Sequence, residues 1–455
     1  MADRLPELAG RTVLVCGARF AGQAAARALL ARGAQVVITD RTEPAGLDAV
    51  VAAGARFAGE AAELPPGTAL VVTSPGWPPT HPLFADAAAR GVEILGELEF
   101  AWRLRGPDAA DWLMVTGTNG KTTTVRMLEA MLRAGGRRAL AVGNVGVSII
   151  DTVVGPEAYD VLAVEASSYQ LYWSSTMRPR AGALLNLAPD HLDWHGSMAA
   201  YEQAKAKVWS ADVAVGNADD PRVAALLPAG GIGCTLGVPG PGRLGVVDGQ
   251  LVSNAFGDDG LALLPAAEVR PSGTHNVANA LAAAALARAH GVPAEGIAAG
   301  LRAFVPDPHR NQPVLTRDGV TWVDDSKATN PHAALASLTA YPRVVWIAGG
   351  QLKGVDVNDL VAAVADRLVG AVLLGQDRAE LALALTRHAP DVPVITVDST
   401  DDGAMTEVVH AAAALARPGD AVLLAPAAAS YDMFTGYGAR GDAFAAAAHA
   451  LDAAG

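Results

Sequence analysis

A glycine-rich loop offers the clearest chemistry in this sequence. It follows an apolar segment at residues 112–116 and consists of Gly117, Thr118, Asn119, Gly120, Lys121, Thr122 and Thr123. Backbone amides of such a loop can cradle phosphates, while the lysine reaches the terminal phosphates and the first threonine hydroxyl ligates Mg²⁺. Val115 stands where the full phosphate-loop pattern has an earlier glycine. The loop predicts ATP binding, against the simpler interpretation of a glycine turn with a surface lysine.

A second glycine loop, from Gly17 to Gly22, follows the apolar segment 12–16, and Asp40 ends the next one. The spacing approximates a dinucleotide-binding fingerprint, but Arg19 replaces the glycine that lets the backbone approach a pyrophosphate closely. Three interpretations stay open: a nicotinamide cofactor, a structural turn, or another nucleotide bound at the same place. Beside a pyrophosphate, Arg19 would itself supply a cation, which is our own hypothesis.

Lysine is scarce in this chain, in which Lys and Arg together number 34. The lysines are Lys121, Lys205, Lys207, Lys327 and Lys353. A retained lysine among so many arginines marks a position that needs a compact, deprotonatable or modifiable amine. The simpler interpretation is chance survival, which loses weight because most of these lysines lie inside the motifs given below.

Charge and composition exclude several classes of protein. The net charge is −13, the sequence pI is about 5.2, and no Lys/Arg block occurs, so we expect no nucleic acid and no membrane surface as partner. Cys16 and Cys234 lie far apart in apolar stretches, which argues against a disulfide framework or a cysteine zinc site. We find no signal peptide and no apolar run of about 18 residues, and therefore expect a cytoplasmic protein.

Strand-like and helical segments alternate along the chain and must position these loops. The predicted strands are 12–16, 35–39, 70–73, 93–95, 112–116, 161–165, 182–187, 213–216, 320–323, 344–348, 371–374, 394–397 and 421–425; helices are expected at 23–31 and 277–289, and short strands and turns at 230–271. Residues 105–107 and 306–308 look like linkers. The pattern predicts an α/β protein of three consecutive α/β domains: Rossmann-like at 1–106, P-loop ATPase-like at 107–307 and Rossmann-like at 308–455.

Taken together, the motifs resemble those of the Mur ligase family over essentially the whole chain. The pieces that carry the resemblance are GTNGKTTT (117–124), EASSYQL (165–171), NLAPDHLDWH (186–195), GTHNVANALAA (273–283), HRNQPV (309–314), DDSKATNP (324–331) and SYDMFTGYGARGD (430–442). The resemblance implies ATP-dependent ligation of D-glutamate to UDP-N-acetylmuramoyl-L-alanine in cytoplasmic peptidoglycan precursor synthesis. An acyl phosphate and a tetrahedral intermediate would form on the way to ADP and phosphate.

The resemblance also implies a site for two Mg²⁺ ions built from Thr122, Glu165, His191 and Lys205, with Lys121 on the ATP phosphates. Lys205 matches a lysine that the family carbamylates, a change that arginine cannot undergo at neutral pH. Lys207, only two residues along, makes the register less secure. On sequence alone, Glu165 reads as a cap or an ion-pair partner, and His191 as a structural loop residue.

The remaining candidate residues are assigned by resemblance to three ligands. For ATP they are Asn276, Asn279, Arg310 and Asp325, in addition to the glycine loop; for the amino acid, Lys327, Thr329, Lys353, Ser430 and Tyr437; for the UDP substrate, Phe20, Asp40, Arg41, Gly76, Asn144 and His191. Asn276 as a helix cap and Tyr437 as packing are the simpler interpretations. The residues after Asp40 look shifted from the family pattern.

Other functions make different predictions. Another Mur-type ligase or a folylpolyglutamate-type ligase would share the Gly117 loop. An oxidoreductase would bind NAD at the Gly17 loop, and an ATP switch would hydrolyse ATP without a ligated product. A chain adding meso-diaminopimelate would carry an Asp-Asn-Pro-Arg type motif, where this one has Ala328-Thr329-Asn330-Pro331. We expect a monomer whose domains close when ATP and the nucleotide substrate bind.

Overall fold

The computed structural model describes residues 5–399 and 403–451, which form three β-sheets covered by helices. The first sheet is parallel throughout, in the order β3-β2-β1-β4-β5 that is typical of doubly wound folds. Its elements are β1 (Thr12–Cys16), α1 (Phe20–Leu30), β2 (Gln35–Thr39), α2 (Leu47–Ala52), β3 (Arg56–Phe57), β4 (Thr68–Thr73), α3 (Pro82–Ala89), β5 (Glu93–Gly96) and α4 (Glu97–Leu104).

The second sheet has nine strands in the order β14-β13-β12-β11-β10-β9-β6-β8-β7, parallel except for the hairpins β12-β13 and β13-β14. Its elements are β6 (Asp111–Thr116), α5 (Lys121–Ala134), β7 (Ala139–Gly143), α6 (Ile149–Val154), β8 (Val161–Glu165), α7 (Ser168–Tyr172), β9 (Ala181–Leu184), α8 (Leu192–His195), α9 (Met198–Ala206), β10 (Val213–Asn217), α10 (Pro221–Leu226), β11 (Ile232–Cys234), β12 (Arg243–Val247), β13 (Gln250–Ser253), β14 (Leu261–Pro265), α11 (Thr274–Ala289) and α12 (Ala294–Ala303).

The third sheet has the order β15-β16-β20-β17-β18-β19 and is parallel except for the hairpin of β15 and β16. Its elements are β15 (Gln312–Arg317), β16 (Val320–Asp324), α13 (Pro331–Leu338), β17 (Val344–Gly349), α14 (Asn358–Val364), β18 (Leu368–Leu374), α15 (Arg378–His388), β19 (Val394–Thr396), α16 (Ala404–Leu415), β20 (Ala421–Leu424) and α17 (Tyr437–Ala450).

Contacts divide the chain into two compact units: the chain up to Glu268 with Ala278–Phe304, and Val269–Val277 with the chain from Val305 onward. The first unit therefore contains both the first and the second sheet. Helix α4 joins them, because the buried carboxylate of Glu99 accepts hydrogen bonds from the backbone amides of Ser175 and Thr176 and from Arg103 Nε. Charge-assisted bonds of this kind in a buried place hold the two sheets firmly together.

The α/β fold with parallel sheets expected from the sequence is confirmed, and its element boundaries differ by a few residues. Helix α1 begins at Phe20, three residues before the expected start at Gln23, so the second half of the Gly17–Gly22 segment belongs to the helix. Helix α11 begins at Thr274, so Asn276 lies inside its first turn and does not precede it. No helix in residues 5–399 and 403–451 is long and apolar enough to span a bilayer.

Candidate active site

The Gly117 loop connects β6 to α5 and depends on two glycines with left-handed backbone. Gly120 has φ +83° and precedes α5, and a Cβ added there would collide with the side-chain amide of Asn279 on α11. Glycine is therefore the residue that both the turn and the close approach of α11 allow. Asn279, which the sequence suggested for the adenine end of ATP, is buried against this turn. Thr122 and Thr123 lie in the first turn of α5, with Thr123 buried.

Two side chains outside the loop fix its shape. Asn186 bonds it twice, accepting from the Asn119 amide at 2.8 Å and donating to the Asn119 carbonyl at 3.0 Å. The Thr118 hydroxyl lies 3.0 Å from the Tyr201 hydroxyl of α9 and accepts from the Ala188 amide. The sequence motifs assigned a role to neither Asn186 nor Tyr201, although Asn186 opens the motif at 186–195 and Tyr201 lies four residues before Lys205. Strand β9 ends at Leu184 and not at the expected Leu187, which leaves Asn186 free of the sheet to make these bonds.

The Lys121 ammonium curls back over the loop. Its Nζ donates to the Gly117 carbonyl at 3.0 Å and to the Thr118 carbonyl at 2.8 Å. The side chain is partly buried at the N-terminus of α5, where the backbone amides and the helix dipole favour an anion. A lysine placed there can exchange these carbonyls for phosphate oxygens.

Lys205, near the end of α9, reaches the same loop. Its side chain is 2% exposed, and Nζ donates to the Gly117 carbonyl at 2.7 Å, with Thr116 Oγ1 at 3.4 Å. Burial, and then the nearby Lys121, lower the pKa of Lys205 well below its ordinary value, against the opposing pull of Asp190 and Glu165. The ammonium is thus driven toward the neutral amine.

Lys207, the neighbour that made the assignment of Lys205 less secure, points away from the glycine loop. Its Nζ donates to the carbonyls of Tyr172 at 2.6 Å and Ser174 at 2.9 Å. The lysine beside the glycine loop is therefore Lys205.

Glu165 ends β8, the strand next to β6, and pairs in register with Val115 just ahead of the loop. Its side chain is buried, and Oε1 accepts a hydrogen bond from Asn144 Nδ2 at 2.9 Å. Oε2 is buried and has no hydrogen-bond partner among the residues that the structure describes. A buried carboxylate oxygen without a partner costs free energy unless a cation or a hydrogen-bond donor binds it. The free oxygen of Glu165 is therefore suited to bind a metal ion.

His191 lies in an aromatic and histidine cluster formed by the loop before α8 and by α7 and α9. Its backbone is left-handed (φ +54°), its ring stands 4.8 Å from that of Tyr169, and its side chain is 45% exposed. Partial burial lowers the pKa of His191; the adjacent Asp190 raises it, and Lys205 and Lys121 lower it further. The ring is therefore neutral and able to bind a metal through a ring nitrogen.

His195, one turn further on, was not singled out from the sequence. Burial, followed by the influence of His191 and Lys205, lowers its pKa to about 4. Its Nε2 is 2.9 Å from the Ser168 hydroxyl on α7. His195 therefore packs as a neutral ring that ties α8 to the helix following Glu165.

No three His, Cys, Asp or Glu side chains in the described ranges cluster as a ready metal site. Glu165 offers one free carboxylate oxygen, His191 a neutral ring and Thr122 a hydroxyl at the loop. These are groups that Mg²⁺ accepts, but Mg²⁺ prefers oxygen and usually keeps waters or takes phosphates as further ligands. The residues fit a site that other oxygen donors must complete.

In the first sheet, the Gly17 loop is held by Asp40. Its two carboxylate oxygens accept from the backbone amides of Ala18 and Arg41, each at 2.7 Å. Phe20, Arg41 and Gly76 are exposed near the ends of the strands, and Arg41 pairs with Glu60 at 3.2 Å. Asp40 is thus engaged with backbone in this structure, whereas Arg19 and Phe20, at the start of α1, face solvent.

In the second unit, the residues suggested for ATP surround the start of α11 and the end of β16. Asn276 is buried and donates to the Ser272 carbonyl at 3.3 Å, which is inconsistent with simple capping of a helix that starts after it. Asp325 accepts from the Asn311 amide at 3.1 Å, and burial raises the pKa of this carboxyl to about 6. Arg310 is partly buried, with Nε 3.9 Å from Asp307.

The residues suggested for the amino acid lie at the carboxyl edge of the third sheet. Lys327 Nζ stands 4.0 Å from the centre of the Tyr437 ring, a cation–π contact. Ser430 is buried, Thr329 is partly buried, and Lys353 is exposed on the loop after β17 with left-handed backbone (φ +56°). Tyr437 is 38% exposed, so its ring is available to a ligand and is not simply packed.

Three regions of the chain match models of the Mur ligase family. The Mur ligase middle domain model matches residues 115–287, the Mur ligase glutamate ligase domain matches 309–428, and the Mur ligase MurD-like N-terminal domain matches 11–96. The UDP-N-acetylmuramoylalanine--D-glutamate ligase of Thermobifida fusca is 56% identical over 98% of this chain and 99% of its own length. The chain belongs to the Mur ligase family.

Further members of the Mur ligase family support this placement. The protein of the same name from Streptomyces avermitilis is 53% identical, over 98% of this chain and 99% of its own length. Among solved structures, the UDP-N-acetylmuramate-alanine ligase of Thermotoga maritima matches with a TM-score of 0.56 and 18% identity, covering 92% of this chain and 95% of the other. That likeness concerns the Mur ligase fold alone.

Proposed function

We propose that this chain uses ATP to join D-glutamate to UDP-N-acetylmuramoyl-L-alanine, with ADP and phosphate as products. Relatives that are 56% and 53% identical over nearly their full lengths carry the name of that reaction. The step serves peptidoglycan precursor synthesis, and hence cell wall biogenesis, cell shape and cell division. We further propose that it takes place in the cytoplasm and that the chain acts as a monomer.

The observation that carries the reaction type is the position of Lys205 at the Gly117 carbonyl. A phosphate loop alone fits many ATPases, but a buried lysine with a depressed pKa beside that loop suits conversion to a carbamate. In that conversion the lone pair of the neutral amine forms a C–N bond to CO₂, one C=O π bond of CO₂ opens to give an anionic oxygen, and the nitrogen loses a proton to water. The product places an anion where a buried amine stood, which matches a site where Mg²⁺ and phosphate must be held together.

Thr122, Glu165, His191 and carbamylated Lys205 would hold two Mg²⁺ ions, with ATP phosphates completing their ligands. The bound ions would neutralise charge as the γ-phosphate is transferred to the substrate carboxylate. The amides of the glycine loop, Thr118, Asn119 and Thr123 included, would bind the phosphates, and the Lys121 ammonium would leave the Gly117 and Thr118 carbonyls to reach them. Positioning and fixed charge are the main protein contributions to phosphoryl transfer.

The other residues are assigned roles at the three ligands. Asn276, Asn279, Arg310 and Asp325 would bind the rest of ATP; Phe20, Asp40, Arg41, Gly76, Asn144 and His191 the UDP substrate; Lys327, Thr329, Lys353, Ser430 and Tyr437 the amino acid. Among these, the two lysines and the hydroxyls of Ser430 and Tyr437 suit a dicarboxylic acid such as glutamate. Domains at 1–106, 107–307 and 308–455 would bind the UDP substrate, ATP and the amino acid, respectively.

One assay tests the proposal against its rivals. Purified protein is incubated with ATP, Mg²⁺, UDP-N-acetylmuramoyl-L-alanine and, separately, D-glutamate, L-glutamate or meso-diaminopimelate; phosphate release and product mass are measured. We expect product with D-glutamate only. Product with another amino acid would reassign the substrate within the family, phosphate without any ligated product would indicate an ATP switch, and no turnover with any amino acid would contradict ligase function.

A further inference from the structure

Arg440, on α17, is a buried cation to which no role has been assigned above. Its side chain is among the largest fully buried ones and the residue is 1% exposed. Each of its five N–H donors finds an oxygen: Nε bonds the Ser326 hydroxyl at 2.9 Å, while Nη1 and Nη2 bond the carbonyls of Ser326, Gly349 and Ala428 at 2.9–3.3 Å. The guanidinium is fully satisfied without a carboxylate.

The oxygens that Arg440 binds come from three different loops. Ser326 follows β16, Gly349 ends β17 and Ala428 follows β20, and these three strands are neighbours in the order β16-β20-β17. The loops at the carboxyl edge of a parallel sheet are where ligands bind in α/β proteins. Arg440 therefore ties together the central three loops on the edge of the sheet that suits a ligand.

Each of those segments carries a residue of the proposed amino-acid site. Lys327 adjoins Ser326, Lys353 lies on the loop that starts after Gly349, and Ser430 is two residues beyond Ala428. The fourth, Tyr437, lies on the helix of Arg440 itself, and its carbonyl accepts from the Ser326 hydroxyl at 2.8 Å. The arginine thus binds backbone next to the side chains and leaves the side chains for the ligand.

We propose that Arg440 is a positioning residue for the incoming amino acid, setting the spacing of Lys327, Lys353, Ser430 and Tyr437 through the backbone of their loops. The idea rests on the proposed function, because it takes those four residues as the ones that hold the dicarboxylic acid. It adds a residue that touches no substrate but determines how well the amino acid fits. Misplacement of a binding group by about 1 Å can cost orders of magnitude in rate.

The surroundings of residue 440 favour arginine over an apolar side chain that would only fill the space. A buried charge without an ion pair is costly, and an apolar side chain of similar size would be the cheaper way to fill the space. Within the described part of the chain no carboxylate lies within ion-pair distance of Arg440, and its bonds go to backbone carbonyls and one hydroxyl. Lysine has only three donors on one nitrogen and cannot bridge three loops in a plane.

The test compares Arg440→Met, Arg440→Lys and Ser326→Ala with the wild-type chain, once the wild type has been shown to form product from D-glutamate. Initial rates give KM for D-glutamate, for the nucleotide substrate and for ATP, and kcat. We expect KM for D-glutamate to rise by about tenfold or more in Arg440→Met, with smaller rises of about threefold in Arg440→Lys and Ser326→Ala. The other two KM values should stay within about twofold.

Phe444→Leu is the matched control, because Phe444 lies on the same helix but is buried in the hydrophobic core, with its ring 6.1 Å from that of Trp322 on β16. It should lower the melting temperature and leave KM for D-glutamate unchanged. A second readout is positional isotope exchange of ATP with the nucleotide substrate alone, which reports acyl-phosphate formation and needs no amino acid. That exchange should persist in Arg440→Met.

Several outcomes would overturn the idea. All three KM values rising together, isotope exchange lost along with ligation, or Phe444→Leu reproducing the D-glutamate effect would each make Arg440 a general stabiliser. If Arg440→Met failed to fold, an unchanged KM for D-glutamate in both Ser326→Ala and Arg440→Lys would also make Arg440 a general stabiliser. A wild-type chain that forms no product would instead contradict the proposed function, and the two failures are thereby distinguished.

Discussion

Lys205 in the first unit and Arg440 in the second are both buried cations that donate to backbone carbonyls, and they differ in how well they are satisfied. Arg440 uses all five donors, whereas the three donors of Lys205 meet the Gly117 carbonyl at 2.7 Å and a distant hydroxyl at 3.4 Å. Burial lowers the pKa of Arg440 to about 10, so it stays charged at neutral pH, while Lys205 is pushed toward neutrality. A well-satisfied cation holds structure, and a poorly satisfied amine is ready for chemistry.

Exchanging the lysine for the other cation should have the largest effect. Lys205→Arg keeps a positive charge but removes the amine that can form a carbamate, and we expect kcat to fall by about 10³-fold or more. Lys207→Arg is the matched control, since Lys207 bonds two distant carbonyls and its replacement should leave activity within about threefold. Rates of product formation measure both.

Intact-protein mass spectrometry under CO₂, with and without a chemical trap, should detect one added CO₂ in wild type and in Lys207→Arg but not in Lys205→Arg. If Lys205→Arg kept near-normal activity, the contrast between the two buried cations would have no catalytic meaning. An unmodified amine at Lys205 in active, freshly prepared protein would remove the carbamate from the proposal.

Glu165 is an anionic counterpart of Lys205, because one of its buried carboxylate oxygens has no partner among the described residues. Glu165→Gln keeps the shape and the bond to Asn144 but removes the charge, and we expect about a 10²-fold loss of kcat with a higher Mg²⁺ concentration needed for half-maximal rate. Asn144→Ala, which frees the other oxygen, should cost about tenfold. Magnesium titrations of initial rate distinguish the variants. Equal Mg²⁺ dependence in Glu165→Gln and wild type would show that Glu165 is not a metal ligand.

The sequence predicted the fold well because its signals are local. Parallel strands buried on both faces read as short apolar runs, and glycines such as Gly120 mark turns that no other residue can make. The Gly117 loop, Glu165 and Lys205 were all identified from motifs. The motif favoured Lys205 over Lys207, but the contact of Lys205 with the Gly117 carbonyl depends on which way the end of α9 faces, which spacing alone does not give.

The residues that hold the site were harder to foresee. Asn186 binds Asn119, which lies 67 residues earlier in the chain, and Arg440 binds Ser326, which lies 114 residues earlier. Such partners are set by sheet order and not by local pattern, so a single sequence gives no register for them. The satisfaction of donors, which separates Lys205 from Arg440, is likewise visible only once the acceptors are in place.

The pH dependence of ATP use tests whether Asp325, in the second unit, binds ATP. Because the folded-state pKa of Asp325 is raised to about 6, its carboxyl takes up a proton as pH falls through that value, and a protonated carboxyl accepts ribose hydroxyls less well. We expect kcat/KM for ATP to fall by about tenfold between about pH 7 and pH 5. The same raised pKa makes the stability contribution of this group largest in acid and lost as pH rises through about 6.

Asp325→Asn is the control for this prediction. It should lower kcat/KM for ATP at neutral pH and show a flatter profile than wild type in steady-state rates from pH 5 to pH 8 (roughly the range in which a carboxyl of this pKa titrates). An identical pH profile in wild type and Asp325→Asn would assign the titration to another group.

Arg19 extends the comparison to an exposed cation and should give the smallest effect. It faces solvent at the start of α1, beside the Gly17 loop, where screening by water and salt weakens charge interactions. We expect Arg19→Ala to raise KM for the nucleotide substrate by about threefold at low salt and less at high salt, with kcat unchanged. Arg11→Ala, also exposed but before β1, is the control and should change neither constant. An unchanged KM for the nucleotide substrate in Arg19→Ala would show that Arg19 does not bind the pyrophosphate. A loss of activity as large as that of Lys205→Arg would mean that burial does not determine how much each cation contributes and that Arg19 contacts the reacting groups.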